Sequence, residues 1–164
     1  KDGVVVSQGG GLNGFSIELQ DGRPAFSIRV DKDGATVAGT RAIDGGWHHV
    51  AGVLTENKKL LLYVDGELAA ETKAPGLLAK KPNIGLQIGA AQISLVSDYG
   101  KGEAYTGLID EFAFYHRALK SEEIAEHATE AHAGDKAPGA LMSCSFDNGD
   151  ARDESGNSIN GGQH

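Results

Sequence analysis

Residues 60–70 read Leu60-Leu61-Leu62-Tyr63-Val64, then Asp65-Gly66, then Glu67-Leu68-Ala69-Ala70. A type I′ hairpin turn needs positive φ at both central residues, and Asp and Gly tolerate it. The apolar runs flanking that dipeptide therefore predict two antiparallel strands. The first run is apolar at every position, which predicts a central strand covered on both faces. Upstream, Trp47 to Leu54 is nearly as continuous and predicts another central strand, with Trp47 entering the core and Asn57-Lys58-Lys59 turning between the two.

The same grammar extends in both directions. Phe15, Ile17 and Leu19 alternate with Ser16 and Glu18, and Phe26, Ile28 and Val30 alternate with Ser27 and Arg29. Asp21-Gly22 lies between them, so they predict two half-buried strands joined by a tight turn. Asp33-Gly34 and Asp44-Gly45-Gly46 predict further turns. Residues 73–83 hold Pro75, Gly76 and Pro82 and read as a loop; Ile84, Leu86 and Ile88 alternate as a strand; Leu108 to Tyr115 predicts a strong strand. One short helix follows, with Ser121 as its cap, Glu122 and Glu123 in its first turn and Gly134 at its end. Residues 133–140 read as a linker, and Leu141 to Phe146 as a last strand before the polar tail Asp147–His164.

Composition points the same way. Glycine makes up 24 of 164 residues, roughly double its usual share, without collagen periodicity and with only 4 prolines. At least eight short strands with one brief helix predict an all-β fold, a two-sheet antiparallel jelly-roll sandwich. The count of 15 basic against 23 acidic residues gives a net charge of -8; such a surface repels a phosphate backbone, so nucleic acid is not an expected partner. The longest uninterrupted apolar run, Leu60–Val64, is far below the ~20 residues needed to span a bilayer, so membrane insertion is not expected. The chain opens Lys1-Asp2-Gly3 with no initiating Met, and reads as a mature or excised piece without a signal peptide. The single Cys144 excludes an intrachain disulfide and reads as a small buried apolar side chain.

Several motifs together carry a family resemblance. Gly46-Trp47-His48-His49-Val50-Ala51, Leu62-Tyr63-Val64-Asp65-Gly66, Ile88-Gly89-Ala90, Gly107-Leu108-Ile109-Asp110-Glu111, and Tyr115-His116-Arg117-Ala118-Leu119 with Glu122-Glu123-Ile124 resemble, in order and spacing, the laminin-G-like jelly roll of concanavalin A-like lectins over about residues 3–130. Gly3 to Gly9, Lys73-Ala74-Pro75-Gly76 and Gly85 to Ala90 are similar to laminin-G-like modules appended to bacterial sulfatases. The family's opening, a strand ending in Phe-Asp followed by Asp-x-Ser-Gly-Asn, stands here at the end: Ser145-Phe146-Asp147, then Asp153-Glu154-Ser155-Gly156-Asn157 and Gly161-Gly162. Residues 1–132 thus form the main body and 141–164 an out-of-order segment. That segment either completes its own sandwich, begins a next repeat, or completes a neighbouring molecule by strand exchange; an unfilled edge is an aggregation hazard, which favours self-completion.

Reactive constellations are missing. Asp110 and Glu111 are adjacent, so on a strand they point to opposite faces and cannot act as a facing carboxylate pair. Cys144 is followed by Ser145-Phe146-Asp147, not by the sulfatase Cys-x-Pro-x-Arg, and no Gly-x-Ser-x-Gly elbow or phosphate loop occurs. His48 and His49 diverge on a strand, and His127 and His132 are off the i, i+4 face, so they read as surface or packing residues. Calcium is the expected metal: Asp153 and Asn157 in the tail turn offer hard oxygens, with Asp110 and Glu111 as partners if the last strands pair as the resemblance implies. The competing reading is an Asx turn in which Asp153 and Asn157 bond their own backbone, with Asp110 or Glu111 paired with Arg117 or Lys120. Tyr99 and Tyr105 flank a Gly-rich loop over residues 97–104 and are the available aromatic platforms for a sugar, with Asp98, Lys101 and Arg41 as polar contacts. The expected function is a non-catalytic, extracellular, cell-surface or periplasmic carbohydrate-binding module that targets an attached or partner enzyme to a polysaccharide. The alternatives are a structural or adhesive protein-interaction module, and an accessory piece of a larger sulfatase-type enzyme.

Overall fold

The computed structural model describes residues 2–43, 45–90, 104–130 and 137–159. Its elements in chain order are β1 (Gly3–Gly9), β2 (Asn13–Gln20), β3 (Arg23–Val30), β4 (Asp33–Ala38), β5 (Val50–Leu54), β6 (Lys59–Val64), β7 (Glu67–Lys73), β8 (Gln87–Ile88), β9 (Phe112–Phe114), α1 (Ser121–Glu130) and β10 (Met142–Cys144). Every pair between these strands is antiparallel, and an isolated parallel bridge joins Val4 to Ala104. One layer is a five-stranded sheet in the order β4-β3-β2-β1-β8; the other holds the meander β5-β6-β7 and the pair β10-β9. This is the β-sandwich with one short helix that the alternation predicts.

The core lies between the layers. Val6, Phe15, Phe26, Ile28 and Val37 of the five-stranded sheet meet Leu60 and Leu62 of β6, with Phe112 and Phe114 of β9 packed against them. Phe15 and Phe114 stack with ring centroids 5.4 Å apart. Gly52 of β5 sits directly under Phe26: a Cβ there would lie 2.5 Å from the ring, so the close approach of the layers requires glycine. β6 is central in its sheet, and its residues 60–64 are all apolar because they are covered on both faces. Leu60 and Leu62 face the other sheet, while Leu61 and Tyr63, with Ala51 and Val53 of β5, hold Ile124 of α1 and Leu119. Ile124 is fully buried.

Turn chemistry explains most boundaries. Asp21-Gly22 and Asp65-Gly66 have positive φ at both residues, as a type I′ turn demands. The turn expected at Asp33-Gly34 falls instead at Asp31-Lys32, φ 49° and 82°, and Asp33-Gly34 begins β4. Leu108–Tyr115 is a strand only over Phe112–Phe114, because Glu111 takes φ 51° and breaks the extended run. Phe146 at φ 61° ends β10. Of Ile84–Ile88, only Gln87–Ile88 pairs. The cap of α1 is also displaced by one residue. The Ile124 N–H donates to the Lys120 carbonyl, so Lys120 is the N-cap, and the Glu123 carboxylate reaches back to the Lys120 N–H at 2.8 Å, the returning half of a capping box. The helix end expected at Gly134 and the Asp44 turn position lie outside the described residues.

The second face of the five-stranded sheet departs from simple alternation. Ser7, Ser16 and Ser27 stand opposite one another in register, and all are buried, as is Glu18. The Ser27 hydroxyl lies 2.8 Å from that of Thr36 and donates to Glu18 Oε1, which also accepts from the Gln20 amide.

Candidate functional site

A cleft of about 1790 Å³ opens in the second layer. Its sides are all five residues of β5 and all three of β9; its floor is the inward face of the other sheet, including Val6, Phe15, Ile17 and Phe26. At one mouth stand Gly22, Ile43, Trp47, Tyr105 and Leu108.

Trp47 is the principal correction to the sequence reading. It is 55% exposed rather than buried, and the strand it was expected to start begins three residues later, at Val50. The hairpin turn holds the segment before β5 from the side: Asp65 Oδ1 accepts the His49 N–H at 3.0 Å and Asp65 Oδ2 lies 2.9 Å from His48 Nδ1. Trp47 is carried out to the rim. Leu108, 78% exposed, shares that rim.

Of the residues expected to contact sugar, Asp98, Tyr99 and Lys101 lie outside the described residues. Tyr105 is half-buried; its N–H donates to the Gly89 carbonyl at 3.0 Å, and its backbone runs beside Gly3 at the start of β1. Arg41 is exposed in the segment after β4, where Gly39 bonds Pro24 and Ile43 bonds Gly22. Gly3 pairs with Leu19, next to the Asp21-Gly22 turn, so Tyr105 and Arg41 stand at the same end of the sheet. The structure thus brings Tyr105, Arg41 and Trp47 to one end of the sandwich. Trp47 is the residue that sequence reasoning missed; the apolar run gives no sign that Asp65 draws its first residues aside.

The proposed cation ligands do not come together. Asp153 Oδ1 accepts the Ser143 and Ser155 N–H groups at 3.1 and 2.9 Å, and Oδ2 accepts that of Ile159 at 2.9 Å. Burial pushes the Asp153 pKa up, but these bonds from Ser155, Ile159 and Ser143 outweigh it and hold the group at about 2. Asn157 turns its amide nitrogen, a donor, toward the Leu141 carbonyl at 2.9 Å and the Ala140 carbonyl at 3.3 Å. Ser143 spends both main-chain groups on Asp153 and Glu154, so the Asp153 turn lies on the far edge of β10 from β9. Asp110 and Glu111 precede β9, on the other side of β10. As arranged, the four residues do not fit a calcium ion, and the tail turn is an Asx-type clasp. Among the described residues no group of three or more His, Cys, Asp or Glu side chains could hold a metal. Cys144 is buried and its thiol pKa is raised, by burial first and then by Asp153, Glu154 and Asp150.

A histidine cluster lies behind the Asp65 turn. His49 is half-buried, and its Nδ1 has no hydrogen-bond partner; neither has the Tyr115 hydroxyl. The His127 ring of α1 packs on Tyr115 at 5.9 Å, and Arg117 lies over the Tyr115 ring while pairing with both oxygens of Glu123. Burial lowers the His49 pKa, the His127 charge lowers it further, and Asp65 opposes both.

The family model Laminin_G_3 matches residues 1–125. The chain belongs to the concanavalin A-like lectin/glucanases superfamily. No curated protein matches this superfamily member in sequence. Among solved structures it is similar to the native heptameric SAP-like pentraxin of Limulus polyphemus, with a TM-score of 0.58, 16% identity, and coverage of 78% of this chain and 63% of the pentraxin. That likeness is one of fold, and the chain spans less than two thirds of the pentraxin's length. An S-layer domain-containing protein of Clostridium thermocellum matches more loosely, at TM-score 0.42 and 24% identity over 72% of this chain and 57% of that one. No helix among the described residues is long and apolar enough to cross a membrane.

Proposed function

We propose that this lectin-like sandwich is a non-catalytic carbohydrate-binding module acting outside the cytoplasm, and that it holds an attached or partner enzyme, such as a sulfatase, on a polysaccharide. The observation that carries this reading is the exposed indole of Trp47, at the same end of the sandwich as Tyr105 and Arg41. Aromatic faces stack on the apolar face of a sugar ring, and a guanidinium supplies donors to its hydroxyl or anionic groups. Asp98, Tyr99 and Lys101 are proposed as further sugar contacts on the grounds of their chemistry alone. Superfamily membership supports recognition.

Affinity electrophoresis through gels containing anionic or neutral polysaccharides tests it. The wild-type chain is expected to be retarded by at least one of them. Trp47→Ala removes an exposed ring without opening the core, so it should lower retention about tenfold, a loss of ~1.4 kcal/mol in binding, while leaving Tm unchanged. Equal mobility of both proteins on every polysaccharide would overturn the reading.

A further inference from the structure

The cleft is lined by two sheet edges that are open among the described residues. Trp47–Leu54 reads in sequence as a central strand and Leu108–Tyr115 as a strong one; each forms a short strand paired on one side among the described residues. β5 pairs only with β6 and β9 only with β10 among the described residues, and the two line opposite walls of the same cleft. Strand parity shows which main-chain groups face it. Thr55 donates to Lys59 and Asp65 to His49, so the odd-numbered residues of β5 bond to β6, and the N–H and C=O groups of Val50, Gly52 and Leu54 point the other way. Ser143 bonds away from β9, so Met142 and Cys144 carry the β9 pairing and Ala113 points into the cleft. Beneath lie apolar side chains, of which Ile17, Val50, Ile88, Phe112 and Phe114 are only half-buried although they pack on the core.

The geometry points to this cleft as a docking slot for one extended polypeptide strand of a protein partner, paired to β5 on one side and β9 on the other. Two edges presenting alternating N–H and C=O groups call for a complementary main chain, which neither a sugar nor an acyl chain supplies; an apolar floor selects apolar side chains at every second position. The charge favours a strand with basic flanks. The chain carries -8 overall; Glu56, Asp65, Asp110 and Glu111 line the cleft beside Lys80, Lys81 and Arg117, and of these bases Lys80 and Arg117 are already held by Asp31 and Glu123. This inference is independent of the sugar reading, which rests on the rim.

The probe is a phage-displayed library of peptides of about six residues, apolar at alternate positions and flanked by lysine, selected on the full chain. Synthetic versions of the selected peptides are expected to slow amide exchange at Val50, Gly52, Leu54 and Ala113 by about tenfold or more, read by NMR. Val50→Pro deletes one donor from the open edge at the first residue of β5, where proline is tolerated, and should weaken the peptide about tenfold while circular dichroism stays unchanged. Should that variant not fold, the exchange pattern of the wild type decides alone. No enrichment on folded protein, or protection of other amides, overturns the proposal. Protection that grows with concentration of the chain alone would assign the slot to a second copy, and protection by an oligosaccharide would assign it to sugar; either result also overturns it.

Discussion

Asp153 shows how a single carboxylate can fasten a tail. Its two oxygens gather the N–H groups of Ser143 on β10 and of Ser155 and Ile159 beyond it. Replacing it with alanine leaves the buried Ser143 N–H unanswered, at a cost of about 1–3 kcal/mol. Asp153→Ala should therefore unfold at lower urea concentration than wild type, with EDTA changing neither midpoint; a calcium-dependent midpoint that the variant loses would instead establish a metal. The folded-state pKa of about 2 lies below the unfolded value, near 3.9. The contribution is thus complete above about pH 4 and disappears as pH falls through about 2. The Asx turn was legible in Asp153-Glu154-Ser155-Gly156-Asn157 because its bonds are mostly local. Whether those oxygens would serve a cation was not, since that depends on which edge of β10 the turn meets. The exposure of Trp47 was equally hidden: it depends on Asp65, 18 positions away, turning its carboxylate toward His48 and His49.

Among the elements, α1 is docked by few groups, and one of them titrates. Ile124 fills the apolar pocket formed by Val53 and Tyr63, while His127 lies on Tyr115 and within electrostatic reach of His49. His49 has a depressed folded-state pKa, so the folded chain prefers it neutral and the unfolded chain takes up its proton first. Stability from this contact is complete above the unfolded value, about 6.5, and declines as pH falls below it. Urea unfolding at pH 7.5 and at pH 5.5 should show the wild type less stable at the lower pH, with a smaller difference in His49→Gln; equal slopes in both proteins would remove His49 as the cause. The strands themselves were readable where turn and alternation agree, as at Asp21-Gly22 and Asp65-Gly66. They were misread in length at β5 and β9: the extended run begins only at Val50, after the segment tied to Asp65, and only at Phe112, after Glu111 takes φ 51°. Apolar periodicity reports which faces of a strand are buried, as both faces of β5 are, and says nothing of which edges are paired or where a distant side chain ends the run.

At the scale of the whole molecule, the last described segment pairs inside the sandwich although the family pattern places its residues first. Met142, Ser143 and Cys144 run antiparallel to Phe114, Ala113 and Phe112, Met142 and Cys144 are buried, and the Asp153 turn closes over β10 from outside. A chain ending at residue 140 would leave β9 without a neighbour on either side and would uncover Phe112 and Phe114, the combination that promotes edge-to-edge association. Burial of Met142 alone is worth about 1.5–3 kcal/mol. Each kcal/mol moves Tm by about 2–4 °C in a domain of this size, so the truncated chain should melt at least about 3 °C lower and scatter light as oligomers at concentrations where the full chain is monomeric. A truncated chain that stays monomeric with an unchanged Tm would show that β9 draws no stability from β10. A full chain that is already dimeric, and becomes monomeric on truncation, would show instead that Leu141–Phe146 is exchanged between two molecules, since the same antiparallel register can be satisfied by a neighbour's segment as well as by the chain's own.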